Sequence, residues 1–234
     1  MAHYDLLVIG SGPAGQKAAV QAAKAGKTVG VVERRQVAGG LCINIGTIPS
    51  KSLREAVLFL SGFRQRNLYG ASYRVKKDIT FEDLSQRCDH VVKAEQEIIQ
   101  NQLLRNGIDF IIGSASFLDP HRIAVAQSAE SHEHTADYII VAVGSQPARP
   151  PQIPFDGEAI IDSDELISLK QLPKSLTIVG GGVIGCEYAC ILGTLGIPVV
   201  LVERRPRLLE FVDSEIIESL QYQMPNIRVT LRFN

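Results

Sequence analysis

Two glycine-rich segments of one pattern stand out in this sequence, because glycines at these spacings let a backbone approach phosphate groups closely. The glycines are Gly10, Gly12 and Gly15 in the first segment and Gly180, Gly182 and Gly185 in the second. Each segment follows a short apolar run and is followed, at the same distance from its last glycine, by an acid, Glu33 or Glu203. The pattern predicts two related sites for phosphate-bearing ligands.

Each residue of the pattern has a distinct physical task. The first glycine permits a tight turn out of a strand, the second lets the backbone reach a pyrophosphate, and the third lets the next helix pack on the sheet. The helix start, at Pro13 and Ala14 or at Val183 and Ile184, offers free N–H groups and a positive dipole end. The acid can accept hydrogen bonds from a ribose 2′-hydroxyl. One such segment also occurs as a turn without a ligand, but two matched copies predict a protein that holds two dinucleotides.

The elements that must position these residues predict an α/β fold with two Rossmann-like dinucleotide-binding domains. The predicted strands are 4–9, 28–33, 108–112, 138–143, 176–179, 199–203 and 227–231. The predicted helices are 14–25, one that begins near Pro49, 81–106, 183–195 and 214–223. Thr80 and Asp83 predict a cap at the start of the long helix 81–106. Residues 115–118 and 122–126 predict two strands of a small meander.

A run of prolines predicts the boundary between the two domains. These are Pro147, Pro150, Pro151 and Pro154. The first domain is then 1–151, with a helical segment at 49–107 and the meander at 115–135, and the second is 152–234. The polar residues 127–135 predict a loop tip at which His132 and His134 are solvated, and we expect no metal site in the chain.

Composition restricts the possible classes of partner. The chain has 234 residues, a formal net charge of −1 and 45% hydrophobic residues, so nothing draws it to nucleic acid or anionic lipid. No apolar run is long enough to cross a membrane, and the N-terminus leads almost directly into a strand. Four scattered cysteines do not indicate a disulfide-stapled secreted fold, so we expect a cytoplasmic protein.

The segment between the two glycine patterns carries a family resemblance. Residues 39–51 read GGLCINIGTIPSK, which resembles the motif GG-x-C-x-N-x-G-C-x-P-S-K of the flavoprotein disulfide reductase superfamily. In that superfamily the two cysteines form a redox-active disulfide against the flavin. Here the first is Cys42 and the second is replaced by Thr47, whose hydroxyl cannot form a disulfide. With threonine at this position, the segment resembles that of the soluble, Si-specific pyridine nucleotide transhydrogenases, which form one branch of the superfamily.

The resemblance implies FAD in the first site. Its ADP half would lie against the first glycine segment, Glu33 and Arg34, and Lys51 near the flavin would pair with Glu187. The other residues that the resemblance places along the cofactor are Gly39, Gly40, Cys42, Gly46, Thr47, Gly113, Ala115, Gly144 and Ser145. Cys42 is either a packing residue beside the flavin or a reactive thiol. Lysine and glutamate here would otherwise be ordinary helix-surface residues.

The second site is implied to bind nicotinamide dinucleotides, and its residues are of mixed character. Glu203 suits the free 2′-hydroxyl of NAD(H), whereas Arg204 and Arg205 suit the 2′-phosphate of NADP(H). The alternative is that these arginines are a solvated charge run. Cys186 and Cys190 lie one helical turn apart, a spacing more typical of core packing here than of a metal site.

The resemblance implies an enzyme that transfers hydride between NADPH and NAD⁺ through FAD, with dinucleotides as its small-molecule partners. Two alternatives stay open: another disulfide-free NAD(P)H oxidoreductase of this superfamily, of the oxidase or diaphorase kind, and an inactive nucleotide-binding fragment. Members of the superfamily complete their FAD domain with a later segment and form homo-oligomers through a C-terminal domain. We expect both of these to be absent from this chain, which would make the fold a truncated one.

Overall fold

The computed structural model describes residues 2–128 and 130–234. They form two compact units, which we treat separately. The first unit comprises the residues up to Pro49 together with Asp89–Pro151, and the second comprises Ser50–Cys88 together with Gln152–Asn234.

The first unit is built on a six-stranded sheet with the order β3-β2-β1-β6-β5-β4. Its strands are β1 Ala2–Ile9, β2 Val29–Glu33, β3 Asp109–Ile112, β4 Ser114–Asp119, β5 Arg122–Gln127 and β6 Glu130–Val141. Strands β3, β2, β1 and β6 are parallel, whereas β5 and β4 continue the sheet as an antiparallel meander. Every residue of β2 is buried, as expected for an interior parallel strand that is covered on both faces.

Two helices belong to the first unit alone and two more contribute to it. The helices are α1 Pro13–Lys24, α2 Gly40–Asn44, α3 Thr47–Leu60 and α5 Phe81–Arg105, of which α3 and α5 each supply residues to both units. The core of the first unit includes Val8, Val31, Ile99 and Leu103. These apolar contacts fix the parallel strands and thereby the edge at which β1, β2 and β6 end.

The second unit is built on a three-stranded parallel sheet with the order β7-β8-β9. Its elements are α4 Arg66–Tyr69, α6 Ser163–Leu166, β7 Leu176–Val179, α7 Val183–Thr194, β8 Val199–Glu203, α8 Ser214–Gln223, β9 Val229–Phe233 and 3₁₀ turns at Phe63–Gln65 and Met224–Ile227. Its core combines Leu192 and Leu201 with Leu53, Val57 and Leu84 from the segment 50–88. This shared core explains why that segment groups with residues 152–234.

The structure confirms the predicted α/β class, and the elements around both glycine segments begin and end within two residues of their predicted bounds. The cap of α5 is also confirmed, because the carboxylate of Asp83 accepts hydrogen bonds from Thr80 N and Thr80 Oγ1, at 2.8 and 2.9 Å. The structure groups segment 50–88 with residues 152–234, whereas the sequence predicted a single division at 151. The assignment of one FAD-binding and one NAD(P)-binding domain stays a prediction.

The prediction of a loop at 127–135 was wrong. Residues 130–135 begin β6, where they pair with β5, and His134 and Thr135 also pair with β1. The error arose because polar residues indicate that the side chains are exposed, but they do not indicate whether the backbone belongs to a loop or to a strand. Here the backbone groups bond to neighbouring strands on one or both sides. His134 is half-buried beside Tyr4, with ring centroids 6.1 Å apart, and burial lowers its pKa. It is therefore not the solvated loop histidine that was expected.

Candidate functional site

The glycines of the first segment are required by the backbone of the turn after β1. Gly10 has a φ of +106°, and a Cβ there would overlap the carbonyl oxygen of Ala142 at the end of β6. A Cβ on Gly15 would overlap the carbonyl oxygen of Gly10, so the start of α1 packs directly on the turn. Gly12 differs, because the nearest atom to its Cβ position is the Cα of Gly40 at 3.9 Å. Gly12 is therefore the position where a ligand can approach.

The start of α1 is open to a ligand. No side chain caps its N-terminus at Gly12, and both Pro13 and Ala14 are exposed. In contrast, Asp213 caps the N-terminus of α8 and Asp162 caps that of α6. Free N–H groups and the positive end of a helix dipole favour an anion at such a terminus.

Glu33, at the end of β2, is buried and stabilises the glycine turn that follows β1. Its Oε2 accepts hydrogen bonds from Ser11 N and Ser11 Oγ, at 3.0 and 2.6 Å, and its Oε1 accepts one from Arg35 N at 3.0 Å. A carboxylate can accept about four hydrogen bonds, so Oε1 keeps an acceptor position for a further donor such as a ribose hydroxyl. Arg34 beside it is exposed.

Other predicted cofactor residues lie near the same edge of the first unit. Gly113 donates its N–H to the carbonyl oxygen of Glu33 at 2.8 Å, and a Cβ on Gly40 would lie 2.6 Å from the Cα of Gly12. The Cβ position of Gly144 is 3.5 Å from Leu41 in α2. Gly39 donates to Ser11, Ser145 is exposed, and Ala115 is half-buried in β4. The carboxyl edge of a parallel sheet is where ligands bind in α/β folds.

The second glycine segment repeats this design in the second unit. Gly180 has a φ of +114°, and a Cβ on Gly185 would overlap the carbonyl oxygen of Gly180. A Cβ on Gly182 would meet no atom within 4 Å. No side chain caps the N-terminus of α7, where Val183 and Ile184 are exposed. This turn therefore also offers an open helix N-terminus.

Glu203, at the end of β8, accepts more hydrogen bonds than Glu33. Gly181 N donates to its Oε2 at 2.7 Å, which matches the bond from Ser11 in the first unit. Arg205 donates from its backbone N at 2.9 Å and, in a bidentate pair, from Nε and Nη2 at 3.0 Å each. These bonds, with that guanidinium first, lower the pKa of Glu203 to about 2 and raise that of Arg205. The carboxylate therefore already has four donors.

The local sequence alone does not explain why Glu203 accepts more hydrogen bonds than Glu33. Two arginines follow each acid, Arg34 and Arg35 in the first unit and Arg204 and Arg205 in the second. In the first pair, Arg35 reaches Glu33 with its backbone N–H, whereas Arg205 also places its guanidinium on Glu203. Arg204 is exposed. A ribose hydroxyl that bonds to Glu203 must therefore share it with Arg205 or displace that side chain.

Lys51 and Glu187 form the predicted ion pair within the second unit. Lys51 Nζ donates to Glu187 Oε1, and Ser50 Oγ donates to the same oxygen at 3.2 Å. The side chain of Glu187 is 19% exposed and that of Lys51 is 55% exposed, so the glutamate anchors a lysine whose ammonium reaches solvent. Both residues line a largely apolar cavity of about 720 Å³.

The comparisons with known proteins agree with this arrangement. The family described as pyridine nucleotide-disulphide oxidoreductase matches residues 4–234, which is nearly the whole chain. The chain belongs to this family. The chain spans about half the length of the curated relatives it matches.

Among these oxidoreductases, the chain is 52% identical to a soluble pyridine nucleotide transhydrogenase of Mycobacterium tuberculosis, of which it covers 50%. It is 40% identical to a soluble pyridine nucleotide transhydrogenase of Photorhabdus laumondii, again over 50% of that protein. Among solved structures it resembles the HOCl-induced flavoprotein disulfide reductase of Escherichia coli, with 30% identity and a TM-score of 0.83 over 99% of this chain and 49% of that one. The fold is thus that of the flavoprotein disulfide reductases.

Cys42 and Thr47 are the two positions for which the resemblance predicted one thiol and one hydroxyl in place of a disulfide. Cys42 lies half-buried in α2, and Thr47 is the first residue of α3. Gly46 separates the two helices and donates to the carbonyl oxygen of Leu41 at 2.7 Å. Cys42 is one of the four cysteines among the described residues, and all four are free.

Cys186 and Cys190 show the character of core residues. Burial raises the pKa of Cys186 to about 11 and raises that of Cys190. Both lie on α7, in or against the core of the second unit. Within residues 2–128 and 130–234, no group of histidine, cysteine and acidic side chains is arranged to hold a metal ion. In the same part of the chain, no helix combines the length and apolarity that crossing a membrane requires.

Sequence analysis missed Ser11 as a site residue. Its side chain is fully buried, Ser11 Oγ donates to Glu33, and Ser11 also accepts bonds from Gly39 N and from Gln16 Nε2. The signal was present, because Ser11 fills the variable position between the first two glycines, where Gly181 stands in the second copy. The two backbone N–H groups perform the same task, and only the serine adds a side-chain bond.

Proposed function

We propose that the first site holds FAD, that the second binds NAD(H) and NADP(H) in turn, and that the protein exchanges hydride between NADPH and NAD⁺. The observation that carries the proposal is the bidentate Arg205–Glu203 pair at the end of β8. In this pair, Glu203 would serve as the ribose acceptor when Arg205 moves aside, and Arg205 would serve as the donor to a 2′-phosphate, which supports an enzyme that accepts both nucleotides. The names of the relatives support the same activity.

The residues present fit FAD in the first site. Gly12 leaves room for a pyrophosphate, the N-terminus of α1 is free of side-chain caps, and Glu33 keeps one acceptor position for a ribose hydroxyl. Bound FAD would supply the two-electron carrier between the two nicotinamides. Gly113 and Ala115 would contact its adenine side, and Gly39, Gly40, Gly46, Gly144 and Ser145 would line the rest, as the family resemblance implies.

The chain's own groups would supply orientation and charge. Lys51, held by Glu187 and Ser50, would provide a positive charge near the reduced cofactor. Thr47 and Cys42 cannot form the disulfide that a disulfide reductase uses, so no thiol has to be protonated during turnover. In the net reaction, one hydride passes from NADPH to NAD⁺, which gives NADP⁺ and NADH.

The same proposal covers the broader organisation. It includes a FAD-binding domain at 1–151, an NAD(P)-binding domain at 152–234 and a location in the cytoplasm. In a full-length relative, homo-oligomers would form through a domain beyond this half of the sequence.

Two glycine variants test the assignment of the two sites. Gly12→Ala and Gly182→Ala each add a Cβ where the protein leaves room, so both variants should fold. Each Cβ would point toward the pyrophosphate of its own site. We expect Gly12→Ala to weaken FAD binding about tenfold or more and to spare NADP(H), with the reverse for Gly182→Ala. Flavin fluorescence and calorimetric titration measure the two affinities, and each variant serves as the control for the other.

The outcomes separate the competing functions. Hydride transfer from NADPH to a thio-NAD⁺ analogue would support a transhydrogenase, whereas transfer only to oxygen or a quinone would indicate an oxidase or diaphorase. A purified chain that stays colourless after incubation with FAD would indicate a nucleotide-binding fragment. Equal effects of both variants on both ligands would contradict the assignment of one dinucleotide to each site.

A further inference from the structure

A cavity of about 300 Å³ in the second unit is lined by three arginines, Arg66, Arg74 and Arg228. No acid is among the residues that line it. The remainder of its wall is formed by Phe63, residues 193–196, Asn226 and Ile227. Neither glycine segment lines it, and neither do Lys51 and Glu187, although it shares the wall residues Phe63, Thr194, Asn226 and Ile227 with the larger cavity of that pair.

The three positive charges are not neutralised by the protein. Within the described part of the chain, none of these arginines forms an ion pair with a carboxylate, whereas Arg54, Arg64, Arg122 and Arg205 all do. Their bonds go to carbonyl oxygens instead: Arg66 Nη2 to Ser61 at 3.0 Å, Arg74 Nη1 to Ala71 at 2.9 Å and Arg228 Nη1 to Gly196 at 3.1 Å. Each guanidinium therefore keeps further N–H donors for another partner.

Arg66 gives the clearest indication of a missing partner. Its Nε is buried and has no hydrogen-bond partner. The buried hydroxyl of Ser61, whose carbonyl oxygen accepts a bond from Arg66, has no partner either. The guanidinium lies 5.4 Å from the centre of the Phe63 ring, which leaves its edge for hydrogen bonding. Burial and the neighbouring Arg74 lower the pKa of Arg66. A buried donor without an acceptor is unfavourable, so Arg66 is the arginine of the three whose donors are least satisfied.

A purely structural role explains only one of the three arginines. Residues 193–196 contain the C-terminal end of α7, where carbonyl oxygens attract cations, and Arg228 donates to Gly196 there. Arg66 and Arg74 instead donate to carbonyl oxygens of their own segment, 61–73. Helix capping therefore does not account for their convergence on this cavity.

We propose that this cavity binds the phosphate group of a small molecule, at a site separate from both dinucleotide sites. Three guanidinium groups can donate to the several oxygens of a doubly charged phosphate, and planar guanidinium forks suit that geometry. The volume lies at the small end of the range for ligand pockets, which suits one phosphate group with a short substituent. The inference rests on this cavity alone and stands or falls independently of the proposed hydride transfer.

Titration of the full chain with inorganic phosphate tests the proposal, with NMR observation of the arginine Nε–Hε signals. The signal assigned to Arg66, identified by its loss in Arg66→Gln, should shift on addition of phosphate. The dissociation constant should rise about tenfold or more in Arg66→Gln and in Arg74→Gln. Arg64→Gln is the matched control, because Arg64 pairs with Glu55 outside the cavity and its loss should change nothing.

Thermal unfolding gives a second measurement. Phosphate should raise the midpoint of the wild-type chain and should have little effect on Arg74→Gln, whose exposed side chain can be replaced without loss of the core. Saturation with NAD⁺ should not abolish the shift of the Arg66 signal. The proposal is overturned if phosphate binds wild type and both variants equally, since binding is then at the glycine-rich turns or nonspecific.

Discussion

At the scale of single residues, the two acids Glu33 and Glu203 have a structural task in addition to the ligand-binding role that we propose for them. Each accepts a hydrogen bond from the backbone N–H of the residue between the first two glycines, Ser11 or Gly181. Each also accepts one from the backbone N–H of the arginine two residues after the acid, Arg35 or Arg205. These bonds hold the turn in shape before any ligand arrives. The two sites differ in Arg205, which fills the acceptor positions on Glu203 that Glu33 leaves partly open.

This difference predicts the effect of Arg205→Gln on nucleotide preference. Removal of the guanidinium frees Glu203 for a ribose 2′-hydroxyl and leaves its charge to repel a 2′-phosphate. We expect the dissociation constant for NADP(H) to rise about tenfold or more, while that for NAD(H) stays the same or falls. Arg207→Gln is the control, because Arg207 donates to the carbonyl oxygen of Glu210 and should affect neither nucleotide. An equal loss for NAD(H) and NADP(H) on titration of Arg205→Gln would refute this role.

Glu203 also predicts a pH dependence of stability. Its pKa in the folded protein is lowered from an ordinary value of 4.5 to about 2, so the folded state favours the charged carboxylate. That contribution is complete above about pH 4.5 and is lost as the pH falls toward 2. Glu203→Gln should therefore unfold with a weaker dependence on pH in this window than wild type, as measured by urea unfolding. Glu218→Gln, at an exposed site on α8, should keep the wild-type dependence.

At the scale of elements, the two helices that follow the glycine segments differ in their N-terminal caps from the long helix α5 and from α6 and α8. The N-termini of α1 and α7 have no side-chain cap, whereas α5, α6 and α8 are capped by Thr80 with Asp83, by Asp162 and by Asp213. The uncapped termini of α1 and α7 each follow a glycine segment directly. Their N–H groups are thus available to phosphates.

The cap of α5 predicts the effect of Thr80→Ala. The substitution removes the hydroxyl that donates to Asp83 Oδ2 and accepts from Asp83 N. We expect the free energy of unfolding to fall by about 1 kcal/mol, as is usual for the loss of a helix cap. Gln86→Ala, at an exposed position of the same helix, should change it by less than about 0.5 kcal/mol. Denaturant unfolding of both variants measures the difference, and equal values would show that the cap contributes nothing.

The elements that could be predicted from the sequence are those in which the spacing of apolar residues agrees with the residues that mark the ends of the element. Strands β1, β2, β7 and β8 and helices α1 and α7 lie between glycines and acids that mark their ends, so their bounds followed directly. The first half of β6 was missed, because its polar residues are held by backbone pairing with β5 and β1. The short α2 and α6 were also missed, since helices of four or five residues carry no periodic signal.

The site was predictable to a similar extent. The glycines, Glu33 and Glu203 and the Lys51–Glu187 pair were found from motif and resemblance, and the structure forms the turns and the ion pair. The guanidinium of Arg205 on Glu203 could not be predicted, because the same two arginines follow Glu33 without such a contact from Arg35. Side-chain placement depends here on packing around each turn, which the local sequence does not encode alone.

At the scale of the whole molecule, the chain contains two units, and in each of them a glycine turn leads into a helix without a side-chain cap and donates to a buried glutamate. Segment 50–88 joins the core of the second unit through Leu53, Val57 and Leu84, although it lies between two parts of the first unit in sequence. The family match covers both units, and the chain spans half of its relatives' length. The activity of this half is therefore the main question.

Reduction of the bound flavin by NADPH, followed by reoxidation by NAD⁺, tests the central claim most directly. The chain loaded with FAD would be mixed with NADPH without oxygen, and its yellow absorbance would be recorded before and after addition of NAD⁺. We predict that the colour fades with NADPH and returns with NAD⁺, and that Gly182→Ala keeps the colour but needs about tenfold or more of either nucleotide for the same response. A chain that cannot be loaded with FAD, or a Gly182→Ala variant that cycles as wild type does, would contradict the account.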